Sequence, residues 1–455
     1  LTQQAANQTF RIAALAWPIL IGQLAVIANG VIDTAMVSRY SATDLAALAL
    51  GISIYISVFV GLNGVLAAIA PIVGQLFGAK RLDEIGPEVK QGAWLALFLT
   101  LTGCAILLFP QPLLSLAHAS PELTEKTSLY LRILALALPA TMGFRLYASL
   151  NTAIGRPKMV MTLQVAALAL KVPLNWLFIF GGFGLPALGA PGCAIATGVA
   201  VWSTALVGAL ILRFDPSYRV FRLFGSGFVR PKWKAQRDLL KLGIPMGLSY
   251  LIEVTAFAFM ALFIARLGDT VVAGHQVTSN FATVLYMLPL SIANATGTLV
   301  AQAIGAREFD SARRIGIAGV RLAAILSMSI GCIVWLAREW IIRAYTPNEA
   351  IMAIAVPLFA FIAFYQLFDS VQITAAFVLR AYKVAVVPTV MYAVALWGIG
   401  LGGGYILGLD PFGISPQALQ GAAGFWMGNS ASLAVVAAAL LWYLRVVQRH
   451  AAREL

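Results

Sequence analysis

Three acidic side chains, Asp33, Glu253 and Asp369, sit inside long apolar stretches, whereas every other Asp or Glu lies in or close to a connecting segment. An ionised carboxylate is costly in hydrocarbon, so an acid there marks an ion or substrate site by default. At 1.5 Å rise per residue, Glu253 stands about 18 Å from Lys241 and about 20 Å from Arg266 along one helix, near mid-span. Asp369 lies roughly 16 Å from Arg380 by the same measure. Two carboxylates sharing a site cannot both carry charge cheaply, so a bound cation or a proton belongs with them. Tyr365, four residues before Asp369, is on the same helical face and offers a phenolic oxygen. Hard oxygen ligands of this kind suit Na⁺, with backbone carbonyls completing its shell.

No base lies within one or two helical turns of Glu253 or Asp369, and the only mid-span base of their half is Arg321. Asp33 is different. It is about 9 Å from Arg39 by helical rise, and Arg145 and Lys171 are span bases in the same half. A structural ion pair therefore competes with a functional role at Asp33.

Polar and aromatic companions recur. Gln276 and Asn280 are spaced i, i+4 and face together. Phe257, Met260, Tyr286 and Met287 form a candidate wall for a flat organic cation, through cation–π attraction and adaptable methionine packing. Each of these, taken singly, is more often ordinary core. His275 is a candidate proton relay, although a lone His without an acidic partner reads as a structural donor. Cys104, Cys193 and Cys332 each fall in an apolar stretch with no CxxC pair or neighbouring His, so they read as small packing residues.

The elements that must position these residues are membrane helices. Hydrophobic residues make up 60% of the 455 and charged residues 11%, against about 25% charged in a soluble domain; the mean hydropathy is +0.87. With about 20 apolar residues needed per crossing, twelve spans are predicted at 9–37, 45–76, 90–112, 127–152, 158–184, 191–213, 239–266, 272–304, 312–336, 351–379, 385–408 and 418–444. The first is too long for a signal-peptide core and reads as a retained helix.

The formal charge is +13, and the larger share of the 31 Lys and Arg residues falls in segments on one side of the predicted spans. That asymmetry places both termini in the cytoplasm. Arg213, Arg219, Arg222, Arg230, Lys232, Lys234, Arg237 and Lys241 cluster in and beside the connector between spans six and seven. Lacking regularly interleaved aromatics, the cluster argues against nucleic acid and reads as a solvated linker that meets anionic lipid headgroups.

The chain is also a duplication. A displacement of 227 residues places Pro18 on Pro245, Arg39 on Arg266 and Val73 on Val300, and sets GQLFGAKRLD from Gly74 against AQAIGAREFD from Ala301. A weaker match sets IGRPKMVM from Ile154 against LRAYKVAV from Leu379. Six spans per half make a parallel repeat, which favours a substrate site near the midplane between two bundles. The halves are residues 1–214 and 239–455, with a cytoplasmic linker at 215–238. The three acids have Met260, Val26 and Phe144 as counterparts, so fold symmetry requires none of them.

Several segments together resemble one family, the multidrug and toxic compound extrusion (MATE) antiporters, and its NorM-like branch. They are VIDTAMVSR with Asp33, KVPLNWLFIFG with Asn175, IPMGLSYLIEVTAF with Glu253, AGHQVTSNF, AQAIGAREFDSARR, and YQLFDSVQ with Tyr365 and Asp369. The resemblance covers essentially the whole chain. It implies an all-α integral membrane protein of twelve transmembrane helices in two pseudo-symmetric six-helix bundles. It further implies export of organic cations against inward Na⁺ or H⁺. A second-half cation site would map to Glu253, Tyr365 and Asp369, with Tyr286 and Gln276 nearby; a first-half site would map to Asp33, with Asn175 and Thr197 as polar companions. Some relatives carry another acid one turn after the Asn, where this chain has Ile179, which makes the first-half site poorer in carboxylates.

The sequence thus leads to a multidrug efflux antiporter, of the kind that confers antibiotic resistance, monomeric in the cell inner membrane. Na⁺ or H⁺ would bind at Glu253 and Asp369, and no other cofactor is expected. A flippase for lipid-linked sugars is the rival within transport, but it calls for a strongly cationic cavity. An intramembrane enzyme or a proton-translocating redox subunit has less support, because no HExxH, GxSxG or metal-ligand pattern is present.

Overall fold

A computed structural model describes the backbone of residues 2–116, 120–224, 227 and 229–451. Among the described residues, twelve helices are long and apolar enough to cross a membrane, and each coincides with one of the predicted spans. In chain order the elements are α1 (Thr2–Ser38), α2 (Ala42–Leu66), α3 (Ile69–Gly78), α4 (Leu82–Leu108), α5 (Pro121–Ala153), α6 (Pro157–Phe180) and α7 (Ala190–Phe214). The second half has α8 (Trp233–Ile264), α9 (Asp269–Gly305), α10 (Phe309–Tyr345), α11 (Glu349–Ala381), α12 (Val386–Tyr392), α13 (Gly403–Leu409) and α14 (Ala422–Ala451).

Two spans are less regular than their hydropathy suggests. The second divides into α2 and α3 at Ala67 and Ala68. The eleventh passes from α12 through a π-helical stretch, Ala393–Gly402, into α13. Prolines sit inside α1, α4, α5, α6, α8, α9 and α11. Membrane helices tolerate them because neighbouring groups and local adjustments satisfy the freed carbonyls.

The chain forms two compact units, residues 1–20 with 248–455, and residues 21–247. The division falls inside α1 and α8, two residues past Pro18 and Pro245, rather than within the connector. In the first unit α11 is central and packs on α9, α10 and α14. Its core runs through Ile292, Leu299, Tyr365, Leu379, Trp426 and Leu440. In the second unit α5 is central and packs on α2, α4 and α7.

Small residues bring helices close in both units, as expected where lipid supplies no hydrophobic drive between helices. Gly400, Gly404 and Gly408 form a row facing Gly424 and Gly428 of α14. A Cβ added to Gly428 would stand 2.6 Å from Gly404 N and 2.9 Å from Gly400 O. Those are backbone atoms that cannot swing away. Gly428→Ala is expected to destabilise the protein by about 1–3 kcal/mol through overpacking, read as a lower unfolding temperature in detergent. An unchanged temperature would show that α13 and α14 can separate without cost.

Asp44, buried at the start of α2, receives Lys126 Nζ at 2.8 Å and the Ala190 backbone N–H at 2.9 Å. It ties α2, α5 and α7 together. Gly189, just before α7, has φ +61°, and a Cβ there would run into the Asp44 carboxyl.

The connector is not simply a solvated linker. Its 3₁₀ turn, Pro216–Phe221, buries Tyr218 and Phe221, and Tyr218 Oη donates to Asn151 Oδ1 at 2.5 Å. The Ser217 N–H bonds the Asp215 carboxylate at 2.9 Å and holds its pKa below the usual range. Further on, Lys90 Nζ, Gln91 Nε2 and Trp94 Nε1 donate to the carbonyls of Gly227, Arg230 and Val229. Residues 225, 226 and 228 lie outside the described set. Of the cysteines, Cys104 donates to Ala135 O at 3.2 Å and Cys193 is buried, but Cys332 is exposed and is no packing residue.

Candidate functional site

In the first unit, α11 carries Tyr365 and Asp369 one turn apart, and both are buried. Asp369 Oδ1 accepts Gln372 Nε2–H at 3.0 Å, whereas its Oδ2 is buried with no hydrogen-bond partner. Buried polar atoms are nearly always bonded, so an orphan carboxylate oxygen needs an explanation such as an ion. Half-buried Glu253 of α8 lies within electrostatic reach of Asp369. The two acids that the sequence singled out are therefore close enough to influence each other.

Aromatic rings enclose them. Tyr365 meets Phe257 edge-on at 6.1 Å and Trp426 at 5.6 Å. Tyr286 and Tyr392 lie within electrostatic reach of both acids, and Tyr392 Oη donates to Gln372 Oε1. Gln372 therefore links Tyr392 to Asp369 and fixes the carboxyl orientation. Gln276 and Asn280 are exposed and bond each other at 3.0 Å.

One expectation at this site needs correction. Glu253 has no base within two turns on its own helix, but Arg380 of α11 is buried and within its electrostatic reach. The Arg380 guanidinium donates to Tyr250 Oη at 2.8 Å and lies over the Tyr250 and Phe377 rings at 4.8 and 4.7 Å. A guanidinium so held is a fixed positive charge. His275, read as a structural donor, instead accepts Trp426 Nε1–H at Nδ1, at 3.2 Å. That bond requires an unprotonated Nδ1.

In the second unit, Asp33 of α1 is 5% exposed and both of its oxygens are engaged. Lys171 Nζ reaches Oδ2 at 2.6 Å, and Asn175 Nδ2 reaches Oδ1 at 2.7 Å. Lys171 and Asn175 are one turn apart on α6, so one face of the helix delivers both. Of the three bases weighed for Asp33, Lys171 makes the pair; Arg145 instead stands over the Phe59 ring at 5.1 Å. Thr197 gives its hydroxyl hydrogen to Cys193 O at 2.9 Å rather than to Asp33. Cys193 and Tyr130 lie within electrostatic reach of Asp33.

The MatE family model matches residues 18–177 and 245–406, two segments whose starts, Pro18 and Pro245, are related by the displacement of the internal repeat. The chain belongs to the MatE family. The probable multidrug resistance protein NorM of Aromatoleum aromaticum is 42% identical to it, over 95% of this chain and 93% of that one. The multidrug resistance protein PmpM of Pseudomonas aeruginosa is 37% identical over 91% and 86%. The eukaryotic MATE transporter AtDTX14 superposes with a TM-score of 0.85 over 99% of both chains at 20% identity. An outward-facing multidrug resistance MATE family transporter gives 0.88 at 18% identity over 98% and 97%. These likenesses show that the MatE chain has the MATE fold, and with its twelve apolar helices it is a multi-pass membrane protein.

Four groups around the acids of this MatE chain escaped the sequence reading. Tyr250 and Gln372 are each three residues from an acid, and the i, i+3 spacing was signal enough to find them. Arg380 reaches the site across α11 and α8, where it meets Tyr250, and Tyr392 reaches it where α12 returns to Gln372; no linear spacing from an acid marks either.

Proposed function

We propose that this MatE chain exports amphipathic organic cations in antiport with Na⁺ or H⁺, from the cell inner membrane and as a monomer with both termini cytoplasmic. Export of drugs accords with the names of its NorM and PmpM relatives. The observation that carries ion coupling is the buried, unpartnered Oδ2 of Asp369 within reach of Glu253. Such an oxygen is stabilised by a proton or by a small hard cation, and Tyr365, one turn away, frames it. The aromatic surround of Phe257, Tyr286 and Tyr365 suits a flat cation. Coupling follows when the ion and the drug differ in affinity for two orientations of the protein.

The test is efflux of a fluorescent organic cation from proteoliposomes under separately imposed Na⁺ and pH gradients. Export is expected to accelerate under at least one of the two. Equal rates with and without both gradients would reject the antiport.

A further inference from the structure

We propose that Lys171 determines the ion specificity of the Asp33 site: its ammonium is a tethered cation that closes the carboxylate to Na⁺. The inference rests on the antiport reading only for its consequence, that Na⁺ coupling runs through Glu253 and Asp369 alone.

The geometry supports it in three ways. Both Asp33 oxygens already accept hydrogen bonds, from Lys171 Nζ at 2.6 Å and Asn175 Nδ2 at 2.7 Å. Both partners present hydrogens to the carboxylate, whereas a metal ion must meet lone pairs. The pair is also neutral and shielded, with Asp33 and Lys171 each 5% exposed. An added Na⁺ would leave a net positive charge beside the ammonium, where low dielectric magnifies repulsion. Finally, the surroundings without the ammonium are those of a cation site. Asn175 Oδ1 is buried and has no hydrogen-bond partner, and with the Asp33 carboxylate it supplies oxygen donors of the kind hard cations take. Lys171 is thus the group that fills the place of a mobile ion. Among the described residues it is the base at ion-pair distance from Asp33.

Binding of radiolabelled Na⁺ to purified protein in detergent tests this. An E253Q/D369N background removes the other candidate site. In that background, the protein with Lys171 intact is expected to show no saturable Na⁺ binding. Adding K171N should create saturable Na⁺ binding where that background has none, and adding D33N to that variant should abolish it. K171Q makes the same comparison if K171N is not monodisperse by size exclusion.

Saturable binding in the Lys171-containing background that D33N abolishes would overturn the proposal. So would a monodisperse K171N or K171Q protein with no gain. If instead the wild-type protein binds no Na⁺, the Na⁺ reading of Glu253 and Asp369 fails, while the comparison at Lys171 stands unaffected.

Discussion

Asp369→Asn is expected to abolish gradient-driven export while leaving the fold intact. The asparagine carbonyl keeps the bond that Oδ1 accepts from Gln372, so the local network survives. What disappears is the charge at Oδ2, the oxygen that has no protein partner. Coupling between two ligands typically amounts to about 1–3 kcal/mol, or about 5–150-fold, and losing one of the two acids removes that whole factor. In proteoliposomes, the ratio of efflux with and without the gradient should fall to about one on this scale. Stability should move the other way. An unsatisfied buried carboxylate costs free energy, so the unfolding temperature in Na⁺-free detergent holds or rises. Glu253→Gln should behave alike in transport. Full gradient dependence in either variant would remove the acids from the coupling step.

Lys171→Ala is expected to cost about 3–5 kcal/mol of stability, because it strands Asp33 as an uncompensated buried charge. The same change on a solvated pair would cost about 0–1 kcal/mol. Asn175 still donates to Oδ1 at 2.7 Å, but one neutral donor does not offset a full charge. Adding Asp33→Asn should recover most of the loss. A double-mutant cycle by denaturation in detergent measures this as a large interaction energy between the sites. If the losses simply add, the 2.6 Å contact contributes no coupling.

These two sites differ in how far the sequence disclosed them. Glu253, Tyr365 and Asp369 were legible because an acid in an apolar helix is conspicuous and Tyr365 is one turn from Asp369. The partner of Asp33 was legible only as a short menu of Arg39, Arg145 and Lys171. Lys171 is 138 residues away in sequence, and packing rather than periodicity selects it. Arg380 shows the reverse limit: from α11 alone it is remote from the acids, yet its side chain turns inward onto Tyr250. The twelve spans were readable from hydropathy, which is a property of each segment alone. The interruption of the second span at Ala67, the wide turns at Ala393–Gly402 and the connector pinned by Trp94 leave the hydropathy of their segments unmarked. Hydropathy averages over such features.

The π-helical stretch sits between two surfaces with different tasks. Before it, Tyr392 orients Gln372 and through it Asp369; after it, the row of Gly404 and Gly408 meets α14. One residue subtends about 100° of an α-helix at 3.6 residues per turn, and less in the wider π turns. The count of residues in Ala393–Gly402 therefore sets the phase between the two surfaces. Removing one of them would rotate Tyr392 away from Gln372 with the glycine row still seated, or the reverse. The segment works as a timing gear, in which a single deletion is chiefly a rotation and only slightly a shortening.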